Sequence, residues 1–262
     1  MLGVSLAAES IFKIGALPVT NSMINTWIAA VFLIIIAWVL RKKYSDVPRG
    51  LQNFAEMVIE WMLSFMDTIT HDRKKSERFF PLVGTLFIFI LLSNWLSQLP
   101  GTGSIGIWEL EEGKKVFVPL LRPATSDLNT TLALSLVGVL ATHFFGITAI
   151  GIFKHLNKFI NLGGIWSAIK TLNPVNIFVA IIQFFVGLIE VFSEVAKTIS
   201  LSLRLFGNVF AGEVLLTVIG SLIAFLVPLP FMFLELLVGF IQATIFAVLV
   251  LVFAEIATSE HH

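Results

Sequence analysis

Residues 175–219 run for 45 residues without a proline, and the three glycines among them, Gly187, Gly207 and Gly212, are compatible with a membrane helix. As one α-helix this stretch is about 67 Å long, more than twice the roughly 30 Å hydrocarbon core of a bilayer. Membrane helices tilt by about 20° and rarely by more than about 40°. The segment must therefore incline strongly, bend, or break into two. The stretch SEVAKTISLSLR, residues 193–204, offers neither Gly nor Pro for a break. The sequence predicts one long, strongly tilted helix over 174–226.

The rest of the chain suits that setting. Of its 262 residues, 57% are hydrophobic and only 13% charged, and several runs reach the roughly 20 apolar residues needed for a crossing. The fold class is an all-α polytopic membrane protein, a single membrane domain over 1–262, with about five membrane helices plus interfacial helices. The first three spans are placed at 24–40, 79–99 and 128–153, and a last helix at 232–257 forms a tilted hairpin with 174–226 across the Pro228-Leu229-Pro230 turn. Residues 1–20 read as a short interfacial helix and 48–66 as an amphipathic interfacial helix. Residues 71–78, rich in charge, read as a solvated loop. Residues 101–122 read as a polar loop with a hairpin near Glu112-Gly113, and Asp127 caps the third span. The N-terminus lacks the basic segment and short apolar core of a signal peptide.

Charge placement sets the expected orientation. The loops 41–78 and 154–170 hold eight and three Lys/Arg, against four in 1–23 plus 100–126. The excess of basic residues in cytoplasmic loops then puts the N-terminus outside and the C-terminus in the cytoplasm.

Polar groups inside the long helix point to function. Gln183, Glu190, Lys197 and Arg204 recur every seven residues, and Glu194 and Asn208 join them at four-residue steps, giving one stripe with about 20° of drift per heptad. Glu213 falls on the opposite side of the helix. Within the stripe, Glu190, Glu194 and Lys197 are spaced to pair. Arg204 has Ser200, Leu201, Gly207 and Asn208 at its three- and four-residue neighbours, so no carboxylate of its own helix can reach it. A guanidinium stays protonated, and an arginine at mid-membrane costs between about 2.5 and 17 kcal/mol. Its counter-charge must come from another element or another chain. In the last helix Glu235 and Gln242 share a face, with Gly239 between them allowing close approach. Acidic groups at different depths on either side of Arg204 suggest two incomplete aqueous paths flanking a fixed positive barrier.

Other candidates carry less. His143 in the third span could relay protons or serve only as a helix–helix contact, and Asp127 could help an outer entrance. His71 and His155 read as loop residues, and no metal is assigned to His261-His262. Cysteine is absent, so thiolate sites are excluded. Neither a glycine-rich phosphate loop nor a nucleophile–base set is present, so no catalytic residue, cofactor or nucleic-acid partner is expected.

The block Ser202-Leu203-Arg204-Leu205-Phe206-Gly207-Asn208 with Gly212-Glu213, Gln242 in the last helix, and the Asp127-Leu128-Asn129-Thr130 and Pro174-Val175-Asn176 starts resemble subunit a of the F-type ATP synthase, bacterial type. The resemblance covers nearly the whole chain. It implies a non-catalytic stator subunit in a bacterial inner membrane, lying against a ring of subunit c and working with the subunit b peripheral stalk, other synthase subunits and lipid. It further implies that Arg204 faces the ring carboxylates, drives their deprotonation and blocks a proton short-circuit. Glu213 and Glu235 would then line the outer half-channel and Glu190 the cytoplasmic one. Asn208 and Gln242 would sit near Arg204, with Glu194, Lys197, His143 and Asp127 as accessory groups. Relatives often pair an acid with a histidine where this chain has two acids, and two nearby carboxylates can share a proton. Protons are the favoured ion, with Na⁺ as the alternative. A secondary transporter is the rival class, disfavoured because no internal repeat or pair of broken helices is evident.

Overall fold

A computed structural model describes residues 8–15, 17–42, 44–99, 105–111, 114–159, 174–222 and 226–259. It opens with a small antiparallel hairpin, β1 (Ser10–Ile14) and β2 (Leu17–Thr20). Strands thus stand at 10–14 and 17–20, where the sequence suggested a helix; residues 1–7 lie outside the described residues. The backbone N–H of Asn21 then bonds the carbonyl of Glu9, which ties the hairpin to the first span.

Among the described residues, five helices are long and apolar enough to cross a membrane. These are α1 (Asn21–Lys42), α3 (Arg73–Ser97), α4 (Leu128–Ile150), α6 (Pro174–Leu222) and α7 (Pro228–Thr258). Two more helices, α2 (Leu51–Thr70) and α5 (Ile152–Phe159), flank them. A second hairpin, β3 (Gly106–Glu111) and β4 (Lys114–Pro119), brackets the position where the sequence placed a turn; Glu112 and Gly113 themselves lie outside the described residues.

Local chemistry explains the boundaries that differ from the expected ones. Residues 73–78, read as loop, are the first turns of α3. Asp72 caps that helix by accepting the Lys74 N–H at 2.9 Å, and the charges that suggested a loop are spent on ion pairs. Arg73 reaches Glu60 at 2.6 Å, Asp67 at 3.0 Å and Glu77 at 3.4 Å, and Lys75 reaches Glu255 on α7. Ser76 and the Arg73 guanidinium together hold the Asp67 carboxyl below the usual carboxylate range.

The third span stops at Ile150 instead of continuing to 153. Gly151 adopts φ 86°, a conformation that favours glycine, and α5 starts immediately beyond it. Pro228 and Pro230 sit inside the first turn of α7, where the missing N–H groups have no helical partner to lose. The Pro228-Leu229-Pro230 stretch, expected as a turn, therefore opens the last helix, and residues 223–225, within the expected 174–226 helix, are outside the described residues.

α6 is a single helix of 49 residues, about 73 Å at the helical rise. The core lies at one side of it. Leu201 and Leu205 of α6 join Phe79, Val83, Phe87 and Ile90 of α3, Met62 and Met66 of α2, and Ala243, Phe246, Ala247 and Val250 of α7. Small residues let these helices approach. A Cβ placed on Gly138 of α4 would meet Val250 at 3.0 Å, and one on Gly239 would meet Asn94 at 3.2 Å. Much of α6 is uncovered. Phe178, Ile182, Phe185, Ile189, Phe192, Val195, Ile199 and Leu203 all expose apolar surface, which sets off the polar groups on the same helix.

Candidate functional site

The site is built where three helices and a short segment with a 3-10 turn at Ala124–Ser126 converge. Between β4 and α4 the chain folds into the bundle, so that residues 122–127 are all buried. Arg122 is only 3% exposed, and its Nε lies 2.9 and 3.1 Å from the two carboxylate oxygens of Glu213 on α6. The Ser126 hydroxyl also faces that carboxylate. Asn25 of α1 donates to the Arg122 carbonyl at 2.9 Å, Ser22 donates to Asp127 at 3.0 Å, and Thr125 donates to Asn94 of α3 at 2.5 Å. Asp127 also caps α4 through the Asn129 N–H, as the sequence suggested. These bonds satisfy the polar atoms of a segment that could not otherwise be buried.

Glu213 is therefore neutralised by Arg122 across elements, and no hydrogen bond joins it to Glu235. The two acids nevertheless border one another. Glu235 on α7 is 8% exposed, and its carboxylate fills the space where a side chain at Gly212 would project. Any Cβ at 212 would collide with it. Two turns along α7, buried Gln242 accepts a hydrogen bond from Asn208 Nδ2 at 2.7 Å. Asn94 packs between them against Gly239, and its Nδ2 is buried with no partner among the described residues. Asp127, Asn94, Glu213, Glu235, Gln242 and Asn208 thus form a polar lane through apolar surroundings.

That lane ends one turn from Arg204. The Arg204 side chain is exposed, and among the described residues it makes no hydrogen bond or ion pair. Leu201 and Leu205 turn the other way into the core, while exposed Leu203 and Gly207 flank the guanidinium, with open space where a Cβ at Gly207 would be. The arrangement is a cation on an uncovered, largely apolar face.

On the other side of Arg204 along α6 the groups change character. Lys197 Nζ pairs with Glu194 at 2.6 Å and lies 5.0 Å from the centre of the Phe253 ring. Glu194 is 3.5 Å from His143 Nε2, and His143 Nδ1 is 3.2 Å from His155 Nε2. His155, read from sequence as a loop residue, is a buried residue of α5. Of the expected Glu190–Glu194–Lys197 series only the second link forms. Glu190 is half-buried and makes no ion pair among the described residues.

Sequence reasoning missed Arg122, Asn94 and His155. The signal for Arg122 was weak but present: an arginine placed five residues before a helix-capping Asp, at the mouth of an apolar span.

Comparison with known proteins gives a consistent result. Residues 23–255 match the family model described as ATP synthase A chain. The chain is 33% identical over 243 residues to ATP synthase subunit a of Moorella thermoacetica, covering 93% of each chain. It is 32% identical over 253 residues to that of Gloeobacter violaceus, covering 95% of this chain and 89% of the relative. It is 34% identical over 242 residues to that of Geobacter sulfurreducens, covering 92% and 89%.

Proposed function

The chain belongs to the ATP synthase subunit a family, as a multi-pass, non-catalytic, ion-translocating membrane subunit of the F-type complex, and from that premise we propose that it passes protons between two offset half-channels and the carboxylates of a subunit c ring. The observation that carries this reading is the Arg204 side chain, exposed on an apolar face and unpaired among the described residues. A guanidinium left against hydrocarbon is costly and cannot discharge itself. A carboxylate presented by a neighbouring chain removes that cost, and a ring of such carboxylates removes it repeatedly. As each protonated carboxyl approaches Arg204, the cation favours its ionised form and the proton leaves. Once past, the carboxylate takes up a proton from the other path. The fixed positive charge repels a proton travelling directly between the paths.

The outer path runs from Asp127 through Asn94, Glu213 and Glu235 to Gln242 and Asn208. The inner path begins at the Glu190, Glu194 and Lys197 side of α6. Excess basic residues in 41–78 and 154–170 put that side in the cytoplasm of a bacterial inner membrane, with the N-terminus outside. The subunit b stalk holds the chain against rotation.

Protons fit better than Na⁺. A hard cation needs several oxygen ligands at once, and the Glu213 carboxylate in the outer lane already carries the Arg122 guanidinium.

Cross-linking tests the placement. The chain has no cysteine, so single cysteines at 203 and 207 report cleanly. In the assembled complex both should cross-link to a cysteine beside the ring carboxylate. Cross-links confined to other faces of α6, with 203 and 207 silent, would overturn the reading.

A further inference from the structure

On the inner side His155 has no role so far, and His143 only that of an accessory group with no stated route. We propose that His155, His143 and Glu194 form a side-entering proton relay that connects the cytoplasm to the inner half-channel. This rests on the half-channel reading and adds its inner route.

Three observations carry it. The first is continuity. His155 Nε2 meets His143 Nδ1 at 3.2 Å, and His143 Nε2 meets Glu194 at 3.5 Å, so both nitrogens of one imidazole are engaged with different titratable groups. An imidazole passes a proton by accepting at one nitrogen and releasing from the other. When Glu194 delivers a proton to His143 Nε2, the Nδ1 proton moves to His155 Nε2; one proton enters, one leaves, and charge is balanced. The ring is left as its other tautomer and is reset when it turns over.

The second observation is that the backbone makes room for the inner ring. A Cβ at Gly146 of α4 would lie 2.7 Å from His155 Cε1 and 2.8 Å from Nδ1. Gly151, at φ 86°, turns α5 back so that His155 enters that space. Phe159 then stands edge-on to both imidazoles, at 5.8 and 5.6 Å between ring centres, and fixes their orientation.

The third is access. His155 is buried, but its chain neighbours Lys154, Leu156 and Asn157 are all exposed, so the inner end of the relay lies one residue from the surface. At its other end Lys197 pairs with Glu194 and is held over Phe253 of α7. Glu194 faces the His143 ring directly, and Lys197 acts on it through Glu194. Glu194 lies ten residues from Arg204, about 15 Å along the helix axis. Proton transfer thus leaves the ring-facing stripe sideways through α4 and α5, separate from the outer lane.

The test uses the assembled complex in vesicles, with proton flux driven by an imposed membrane potential. His143→Gln and His155→Gln should each slow flux at least about tenfold, and millimolar imidazole should restore it. Flux at the unsubstituted level in both variants, or a loss that imidazole leaves unchanged while the complex stays intact, overturns the relay. If the substitutions block assembly, diethyl pyrocarbonate serves instead, on a chain whose other three histidines, His71, His261 and His262, are glutamine. Reversible inhibition by hydroxylamine supports the relay and insensitivity overturns it. Arg204→Ala separates the two ideas. Retained coupling in that variant would sink the half-channel reading itself, whereas its loss beside unaffected histidine variants sinks only the relay.

Discussion

Arg122 and Arg204 are the same side chain in opposite circumstances. Arg122 is 3% exposed and its guanidinium is engaged by Glu213 of the same chain. Arg204 stands in the open on α6, with apolar neighbours and no partner among the described residues. The first is a completed pair and belongs to the architecture of the polar lane. The second is an incomplete pair, and the missing half is proposed to arrive on another protein. Removing a completed pair's cation should damage the fold locally, while removing the incomplete one should damage only the transaction it conducts.

The largest expected effect breaks the comparison at Arg204. Arg204→Ala should reduce ATP synthesis and ATP-driven proton pumping to background, with the amount of assembled complex unchanged. Measured synthesis near the unsubstituted level would remove the distinction. Arg122→Met should act on stability instead. It leaves the half-buried Glu213 carboxylate without its cation, at a cost below the roughly 3–5 kcal/mol of a fully buried broken pair, read as a lower thermal midpoint of the complex and faster proteolysis of the segment before α4. Pairing it with Glu213→Gln should recover most of that loss, since neither charge then remains. A third change sharpens the geometry of the polar lane. Gly212→Ala forces the Glu235 carboxylate from its place, and proton flux should fall by up to about 100-fold. Adding Glu235→Asp, one methylene shorter, should return part of it. The smallest effect is expected at Asn208→Leu. That change forfeits one hydrogen bond to Gln242 and leaves a buried amide short of a partner, worth about 1–3 kcal/mol, and should slow flux without uncoupling it.

What could be read from the sequence divides along physical lines. Helix length, membrane character and the isolation of Arg204 are properties of spacing along one chain, and they were visible as such. The Gly239 gap between Glu235 and Gln242 was visible for the same reason. The partner of Glu213 was not, because Arg122 lies on the far side of α4 and α5 in the chain and reaches it only when the segment before α4 folds inward. The expectation that Glu213 and Glu235 would share a proton failed to anticipate that pairing. His155 was misread because a polar run after an apolar span resembles a loop. Its burial depends on the turn at Gly151 and on the space left by Gly146, neither of which is a pattern along the chain. The strand hairpin of 10–20 was likewise hidden, since Ser10–Ile14 and Leu17–Thr20 are too short to show alternation against a helix alternative.

The 49-residue length of α6 has a mechanical corollary. A helix standing upright beside a rotor touches one upright helix at a time, and its grip lapses as each one moves on. A helix about 73 Å long must instead recline to fit the bilayer, and a reclining helix crosses several of its neighbours, each about 10–12 Å wide. The next is engaged before the last has let go. The apolar face of α6 would then serve as a bearing, with overlap between successive contacts built into the slope.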